Sequence, residues 1–359
     1  MELRLALIGF GGVNQGLVQL LDTKREVLRA YGIDLKVTAV VDLRMGVLTN
    51  PGGFPLDVLL NCIECGLEVK PLLNCAGTDI QPNADLATTL KVIASDIVDV
   101  VVEATFTDPN TGEPALSHCR TALESGKHVI TTNKGPVALA FKSLMATADA
   151  HGARLMFEGS VMSGTPVIRQ LSTTLRGAEI RAFSGILNGT SNFVLGKVAA
   201  GDTFEAAVKD AQARGYAEAN PAADIEGSDV QMKVLILANA LWGADLRRSD
   251  VHCEGITGLS EEAIRSAPDN GSSWRLIGRA QRNEDGTIVA GVSPQLLPAG
   301  HPLLAATGVT NAITFDTDTL GSVTISGPGA GRVETAFAIF SDILELASVH
   351  NGAAREGTK

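Results

Sequence analysis

No apolar stretch in this 359-residue chain approaches the roughly 18 residues that a membrane-spanning helix needs. No positively charged, apolar leader is evident either: Met1-Glu2-Leu3-Arg4 runs straight into a strand pattern, so no signal peptide is expected. Positive charge is the scarcer sign, with 29 Lys and Arg against 40 Asp and Glu and a formal net charge of -11. That balance argues against nucleic-acid backbones and membrane surfaces as partners. Cysteine is sparse and odd in number, five in all, which suits reduced thiols in a cytoplasmic protein. Cys62 and Cys65 form one CxxC with no second pair, and His118, His128 and His151 are not spaced as metal ligands. Internal repeats and low-complexity linkers are absent too. A chain this long with 45% hydrophobic residues is therefore expected to form two interleaved domains.

The first half alternates strands and helices. Leu3–Ile8 reads as a compact apolar strand, followed by Gly9-Phe10-Gly11-Gly12-Val13-Asn14 and a helical run to about Arg29. Leu35–Val41 is a second strand ending in Asp42, then a Gly/Pro-rich loop at Asn50-Pro51-Gly52-Gly53 leads to a helix near Asp57–Cys65. Ile97–Val102, Ala115–Ser125 and His128–Thr132 continue as strand, helix and strand. This alternation predicts a parallel sheet with helices on both faces. Gly9 and Gly11 fill the first two places of a GxGxxG turn between strand and helix, where backbone can approach a pyrophosphate at a helix N-terminus. Asn14 stands in place of the third glycine, which leaves an ordinary glycine turn as the competing reading. Asp42 stands where an acid would bind ribose hydroxyls and favour NAD, while Arg44 keeps NADP open.

The middle of the chain changes character. Phe157–Pro166 is a loop of small residues around Glu158, readable as a tight turn with a capping acid or as a carbonyl-lined cation site. A helix (about Pro166–Leu175), a strand (Glu179–Leu187) and a helix opened by Asn188-Gly189-Thr190 follow. Strands at Ile288–Val292, Ile313–Phe315 and Val323–Ser326 predict an open sheet, and Gly327-Pro328-Gly329-Ala330-Gly331 leads a helix from about Val333 to Leu346. Within Gly215–Lys233, four acids (Glu218, Asp224, Glu226, Asp229) precede Lys233. Asp229 and Lys233, four apart, share one helix face. They form either an exposed ion pair worth roughly 0.3–0.5 kcal/mol or a polar site that tunes an amine.

Taken together, several ordered stretches resemble homoserine dehydrogenases over nearly the whole chain, from about Arg4 to about Ala347. They are Gly112-Glu113-Pro114-Ala115, the run Gly126–Pro136 (GKHVITTNKGP), Gly185–Thr190 (GILNGT), the frame from Gly215 to Lys233, and GPGAG followed by Thr335-Ala336. The resemblance implies NAD(P)-dependent interconversion of L-homoserine and L-aspartate 4-semialdehyde, in the aspartate-derived route to threonine and methionine. The fold class it implies is α/β: a Rossmann-type parallel-sheet domain, residues 1–157 with helix 330–347 packing back on it, plus an α+β substrate and dimerisation domain, residues 158–329, with an open sheet.

On this chain the resemblance makes Lys233 and Lys134 the active-site lysines, with Asp229 beside Lys233. Glu218, Asp224, Thr190 and Tyr216 fall at substrate positions. Gly9, Gly11, Gly12, Val13, Asp42, Arg44, Thr105, Lys134 and Gly331 fall along the dinucleotide. Glu158, with Val161, Ser163 and Thr165, matches a structural sodium site, and a homodimer is implied. A lysine ammonium can donate a proton to a developing alkoxide and stabilise its charge. Lys233 is accordingly the expected acid/base and Lys134 the substrate orienter, with the opposite order open.

Three departures stand out: Asn14, then Ala219-Asn220 where Pro-Asp is commoner, and Met162-Ser163 in a loop commonly richer in glycine. A chain ending near Lys359 has no room for the C-terminal regulatory domain of many relatives, so no threonine feedback through such a domain is expected. The competing functions are a dehydrogenase of another small amino- or hydroxy-aldehyde, an aspartate-semialdehyde dehydrogenase using Cys119 or Cys253, and a non-catalytic NAD-binding sensor. The first turns on the Ala219-Asn220 change. The second needs an activated thiol, and the third predicts loss of the lysine–carboxylate set.

Overall fold

The structure is a computed structural model and describes the backbone of residues 1–356 and the side chains through Ser348. The described residues divide into two compact units, 1–160 with 331–356, and 161–330.

The first unit is built on a sheet of strands β1 (Glu2–Ile8), β2 (Asp34–Asp42), β3 (Gly46–Phe54), β4 (Asp79–Gln81), β5 (Val100–Glu103), β6 (His128–Thr131) and β7 (Leu155–Met156). Their order is β4-β3-β2-β1-β5-β6-β7. Strand β1 is central, and Leu5 to Ile8 are fully buried, as expected of a parallel strand covered on both faces. At its carboxyl end Ile8 pairs with Val41 of β2 on one side and Glu103 of β5 on the other. Strand order therefore reverses around β1, and ligands bind outside the carboxyl ends of the strands at such a switch point.

The sheet is not wholly parallel. The segment read as a Gly/Pro-rich loop is strand β3, antiparallel to β2, and β4 pairs antiparallel beyond it. Two features hid this hairpin. The turn from β2 into β3 ends at Gly46 with φ +82°, and Asn50 to Gly53 form a bulge across which pairing jumps from Ala39↔Thr49 to Val37↔Phe54. Proline and glycine are tolerated at such a bulge, although they demote a strand pattern in sequence. The first helical run is also broken at Lys24, into helices Gly12–Thr23 and Arg25–Ala30. The C-terminal helix, Arg332–Glu356, packs on helix Gly12–Thr23 at Gly16, where a Cβ would stand 3.0 Å from the Arg332 carbonyl and 3.2 Å from Ala336 Cβ.

The second unit carries β8 (Ile180–Ile186), β9 (Val251–Cys253), β10 (Ser273–Arg282), β11 (Ile288–Leu297), β12 (Thr310–Thr317) and β13 (Gly321–Pro328), in the order β13-β12-β8-β10-β11-β9. All neighbours are antiparallel except β11 and β9. Helix Ser228–Trp242 lies on this sheet and buries every residue from Val230 to Asn239. Gly278 of β10 admits it: a Cβ there would fall 2.6 Å from Val234 Cγ2 and 2.7 Å from Val230 Cγ1. A helix apolar nearly all round belongs in a core, so Lys233 is held inside rather than on a solvated face.

Gly16→Leu is expected to force the C-terminal helix away from helix Gly12–Thr23, lowering stability by about 1–3 kcal/mol. The check is urea unfolding, in which the midpoint should fall with the slope unchanged.

Candidate active site

In the first unit the glycine turn is shaped by close approach. Gly9 has φ +80°, and a Cβ there would meet the Ala104 carbonyl oxygen at 2.7 Å. At Gly11 no atom lies within 4 Å of a built Cβ, which leaves room for a ligand over the start of helix Gly12–Thr23. Asn14, in place of a third glycine, is fully buried, and its amide nitrogen donates to the Gly9 carbonyl at 2.7 Å. The departure therefore braces the turn from within. Gly12, at the first turn of that helix, lies against the Arg332 side chain, Val13 packs on the core, and Gly331 supplies the carbonyl that starts helix Arg332–Glu356.

Asp42 accepts hydrogen bonds from the Phe10 N–H at 3.0 Å and from Arg44 Nε at 2.9 Å. Burial pushes its carboxyl upward, but the Arg44 and Phe10 hydrogen bonds and the Arg44 charge together hold it below the ordinary aspartate value. Arg44 is committed to Asp42 and to the Phe10 carbonyl. Thr105 follows β5 and turns both its N–H and its hydroxyl to Glu103. Lys134, half-buried, is the first residue of helix Lys134–Ala150.

In the second unit the lysine and three polar side chains form one network. Lys233, 7% exposed, donates from Nζ to Asp229 Oδ2 at 2.8 Å and to the Leu187 carbonyl at 2.5 Å. Two of its three N–H donors are thereby used. Asn188 is the hub. Its Oδ1 caps helix Gly189–Ala199 through the Ser191 N–H, while its Nδ2 donates to Asp224 Oδ1 at 2.6 Å and Asp229 Oδ2 at 2.9 Å. Burial is the main reason the Asp224 carboxyl sits above the ordinary value; the Asn188 hydrogen bond opposes it and the Asp229 charge adds to it. Thr190 donates to the Tyr216 carbonyl at 2.7 Å. The exposed-ion-pair reading of Asp229 and Lys233 is thus incorrect, because both are largely buried.

Glu218 is placed differently. It is exposed on the loop before Pro221, and among the described residues its carboxylate makes no hydrogen bond to this network. Tyr216 is also exposed, with its ring edge-on to Phe193 at 5.2 Å. Asn220 Oδ1 accepts from the Ala222 N–H at 3.1 Å, a bond an aspartate would make equally, so the Ala219-Asn220 departure keeps the turn. Of the expected cation loop, Glu158 is buried in the first unit, whereas Val161, Ser163 and Thr165 are buried in the second. Met162 and Ser163 both take left-handed backbone, at φ +57° and +55°, where glycine would be unstrained.

Neither Cys119 nor Cys253 has the setting of an activated thiol. Cys119 is fully buried, and burial followed by the Glu103 charge raises its thiol well above the usual range. Burial likewise raises Cys253 and pushes Cys62 up to about 11. Among the described residues, no group of three or more His, Cys, Asp and Glu side chains is placed to hold a metal ion. No described helix is long and apolar enough to cross a membrane.

Residues 166–344 match the family described as homoserine dehydrogenase, and residues 9–158 match the homoserine dehydrogenase NAD-binding domain. The chain is 48% identical over 356 residues to the NAD(+)-dependent homoserine dehydrogenase of Pseudomonas canavaninivorans, covering 99% of this chain and 98% of that one. This chain belongs to the homoserine dehydrogenase family. Solved homoserine dehydrogenases share its fold. The Thiobacillus denitrificans structure superposes with a TM-score of 0.82 at 30% identity, covering 98% of this chain and 74% of that one. A hyperthermophilic archaeal homoserine dehydrogenase in complex with NADPH gives 0.81 at 28% identity, covering 98% of each chain. The family is one of NAD(P)-dependent oxidoreductases acting on a CH–OH group, and its α/β architecture combines a mainly parallel nucleotide-binding sheet with a mostly antiparallel second sheet.

In the sequence Asn188 stood out as a helix opener and as part of the GILNGT stretch, not as the amide joining two carboxylates. Its cue was a capping residue directly before Gly-Thr.

Asp224 yields a signed pH prediction. For an acid raised in the folded state, the unfolded chain releases its proton first, so stability falls as pH climbs from about 4 through the raised value. Asp224→Asn should therefore melt at a higher temperature than the wild type at pH 7, with the gap narrowing toward pH 4. Thermal denaturation at both pH values checks it; a lower melting temperature at pH 7 would contradict the sign.

Proposed function

We propose that this chain catalyses the NAD(P)-dependent interconversion of L-homoserine and L-aspartate 4-semialdehyde. The observation that carries the reading is the buried Lys233–Asp229–Asn188–Asp224 network, at the positions the family resemblance marks for catalysis and substrate. Lys233 is the proposed acid/base. Its remaining N–H is offered to the substrate oxygen, donating a proton as the aldehyde becomes an alcohol and taking one in the oxidative direction. Asp229 holds the ammonium in place, and the Leu187 carbonyl fixes its direction. Asp224 and Thr190 are assigned to the substrate's polar groups, with Tyr216 and Glu218 on the adjoining exposed loop. Lys134 is assigned to orienting the substrate. Bound NAD(P) carries the hydride itself.

The cofactor is assigned to the carboxyl-end crevice of the first unit, along Gly9, Gly11, Gly12, Val13, Thr105 and Gly331. An ionised Asp42 opposes a 2′-phosphate, and Arg44, already bound to it, offers that phosphate little, so NAD is the proposed preference. The buried loop through Val161, Ser163 and Thr165 is assigned a structural sodium ion held by backbone carbonyls, since its buried oxygens suit a hard cation. A homodimer and a cytoplasmic location complete the proposal.

The assay mixes purified protein with L-homoserine and NAD⁺ or NADP⁺ and follows reduced nicotinamide. No turnover with either cofactor, and none in reverse from the semialdehyde, would sink the reading. Lys233→Ala should lower kcat by about 100-fold or more while leaving cofactor binding near the wild-type value. Asp42→Ser, with Arg44 released, should lower the ratio of kcat/KM for NAD⁺ over NADP⁺ by about tenfold or more. An unchanged ratio would remove Asp42 from the specificity assignment.

A further inference from the structure

Glu103 is a charged residue that the proposed chemistry leaves unused. It ends β5, a strand otherwise made of Val100, Val101 and Val102, and it is 0% exposed. No lysine or arginine pairs with it among the described residues; its one ion-pair neighbour is the buried His118 ring, with Nδ1 at 3.5 Å. A carboxylate in such surroundings is tolerated only when hydrogen-bond donors surround it.

Four donors do so. The Thr105 N–H reaches Oε1 at 3.1 Å, and the Thr105 hydroxyl also donates to Oε1. Thr131 Oγ1 and Asn133 Nδ2 donate to Oε2, and Asn133 Nδ2 donates to the Thr105 carbonyl at 2.9 Å as well. Thr131 further accepts the Asn133 N–H at 3.1 Å. Thus the loops leaving the carboxyl ends of β5 and β6 are tied to one buried anion beside the β1/β5 switch point.

Asn133 shows what the arrangement costs locally. It is the N-cap of helix Lys134–Ala150, where an asparagine side chain ordinarily accepts from the helix's own N–H groups. Here no side-chain cap bond forms, because the amide is turned back to Glu103 and Thr105. A valine in place of Glu103 would continue the apolar strand and leave Asn133 free to cap. The carboxylate instead sets the backbone of Thr105 and the start of the helix whose first residue is Lys134.

We propose that Glu103 is a positioning residue for the reaction: acting through Thr105 and Asn133, it holds the cofactor-side loop and Lys134 in their working geometry. This rests on assigning the dinucleotide to that crevice. Glu103 is enclosed by its donors and acts through Thr105 and Lys134, so its loss should appear in cofactor affinity, turnover and homoserine KM.

The test compares wild type, Glu103→Gln and Thr131→Val, with NAD⁺ affinity from isothermal titration calorimetry, kcat and homoserine KM from steady-state assays, and melting temperature. Gln keeps the size but sets an NH₂ against the donors, and Val removes one donor to Oε2. Glu103→Gln should raise the NAD⁺ Kd and lower kcat by about tenfold or more, with homoserine KM rising as Lys134 is displaced; Thr131→Val should follow in weaker form. A purely structural role would lower the melting temperature but leave Kd and kcat per folded molecule within about twofold of wild type in both variants, and that result overturns the proposal. If Glu103→Gln does not fold, Thr131→Val decides by the same criterion. A wild type that binds NAD⁺ without oxidising homoserine would refute the substrate reading alone, and the Kd comparison would still judge Glu103.

Discussion

An ammonium taken out of water must find partners whose geometry replaces hydration, and the second unit is arranged around that requirement. Lys233 lies in a helix buried on nearly every side, so its Nζ cannot turn to solvent. Asp229, one turn earlier, supplies the countercharge, and the Leu187 carbonyl supplies a second acceptor. Asp229 stands near a second carboxylate, Asp224, and the Asn188 amide donates to both. Removing Asp229 would strand the buried Lys233 charge, a loss much larger than that of an exposed ion pair. A network so constrained is pre-organised, which is what a proton donor aimed at a developing alkoxide requires.

The first unit uses an asparagine differently. Asn188 caps its helix and bridges carboxylates with opposite ends of one amide, whereas Asn133 spends its amide nitrogen on Glu103 and the Thr105 carbonyl and leaves its helix without a side-chain cap. Around both, small residues mark backbone approach. Gly9 lies against Ala104, and Gly278 lets helix Ser228–Trp242 sit directly on β10. Asn14 shows how one device replaces another, since its buried amide braces the Gly9 carbonyl in a turn where glycine is usual.

Much of the architecture was legible because hydrophobic periodicity and chain order carry it. The strand–turn–helix at Gly9, the alternation through β6, and the apolar run after Lys233 all correspond to elements present. The β2–β3 hairpin was not legible, because Asn50-Pro51-Gly52-Gly53 has the composition of a loop and its strand character comes only from pairing with β2. Glu103 was missed for a related reason. An acid ending a valine strand reads as the solvated edge of that strand, and only the approach of Thr131 and Asn133, nearly thirty residues on, encloses it.

The residues by themselves determined that a glycine turn follows the first strand, that Asp229 and Lys233 share a helix face, and that the ordered motifs belong to one family. These are local facts, set by backbone sterics and by the 3.6-residue repeat. Tertiary structure decided that the Asp229–Lys233 pair is buried, that Asn188 joins it to Asp224, that Arg44 and the Phe10 N–H hold the Asp42 carboxyl below its ordinary value, and that Cys119 is fully enclosed. Each of those depends on how much water remains around a charge. That is set by segments distant in sequence, which no spacing along the chain records.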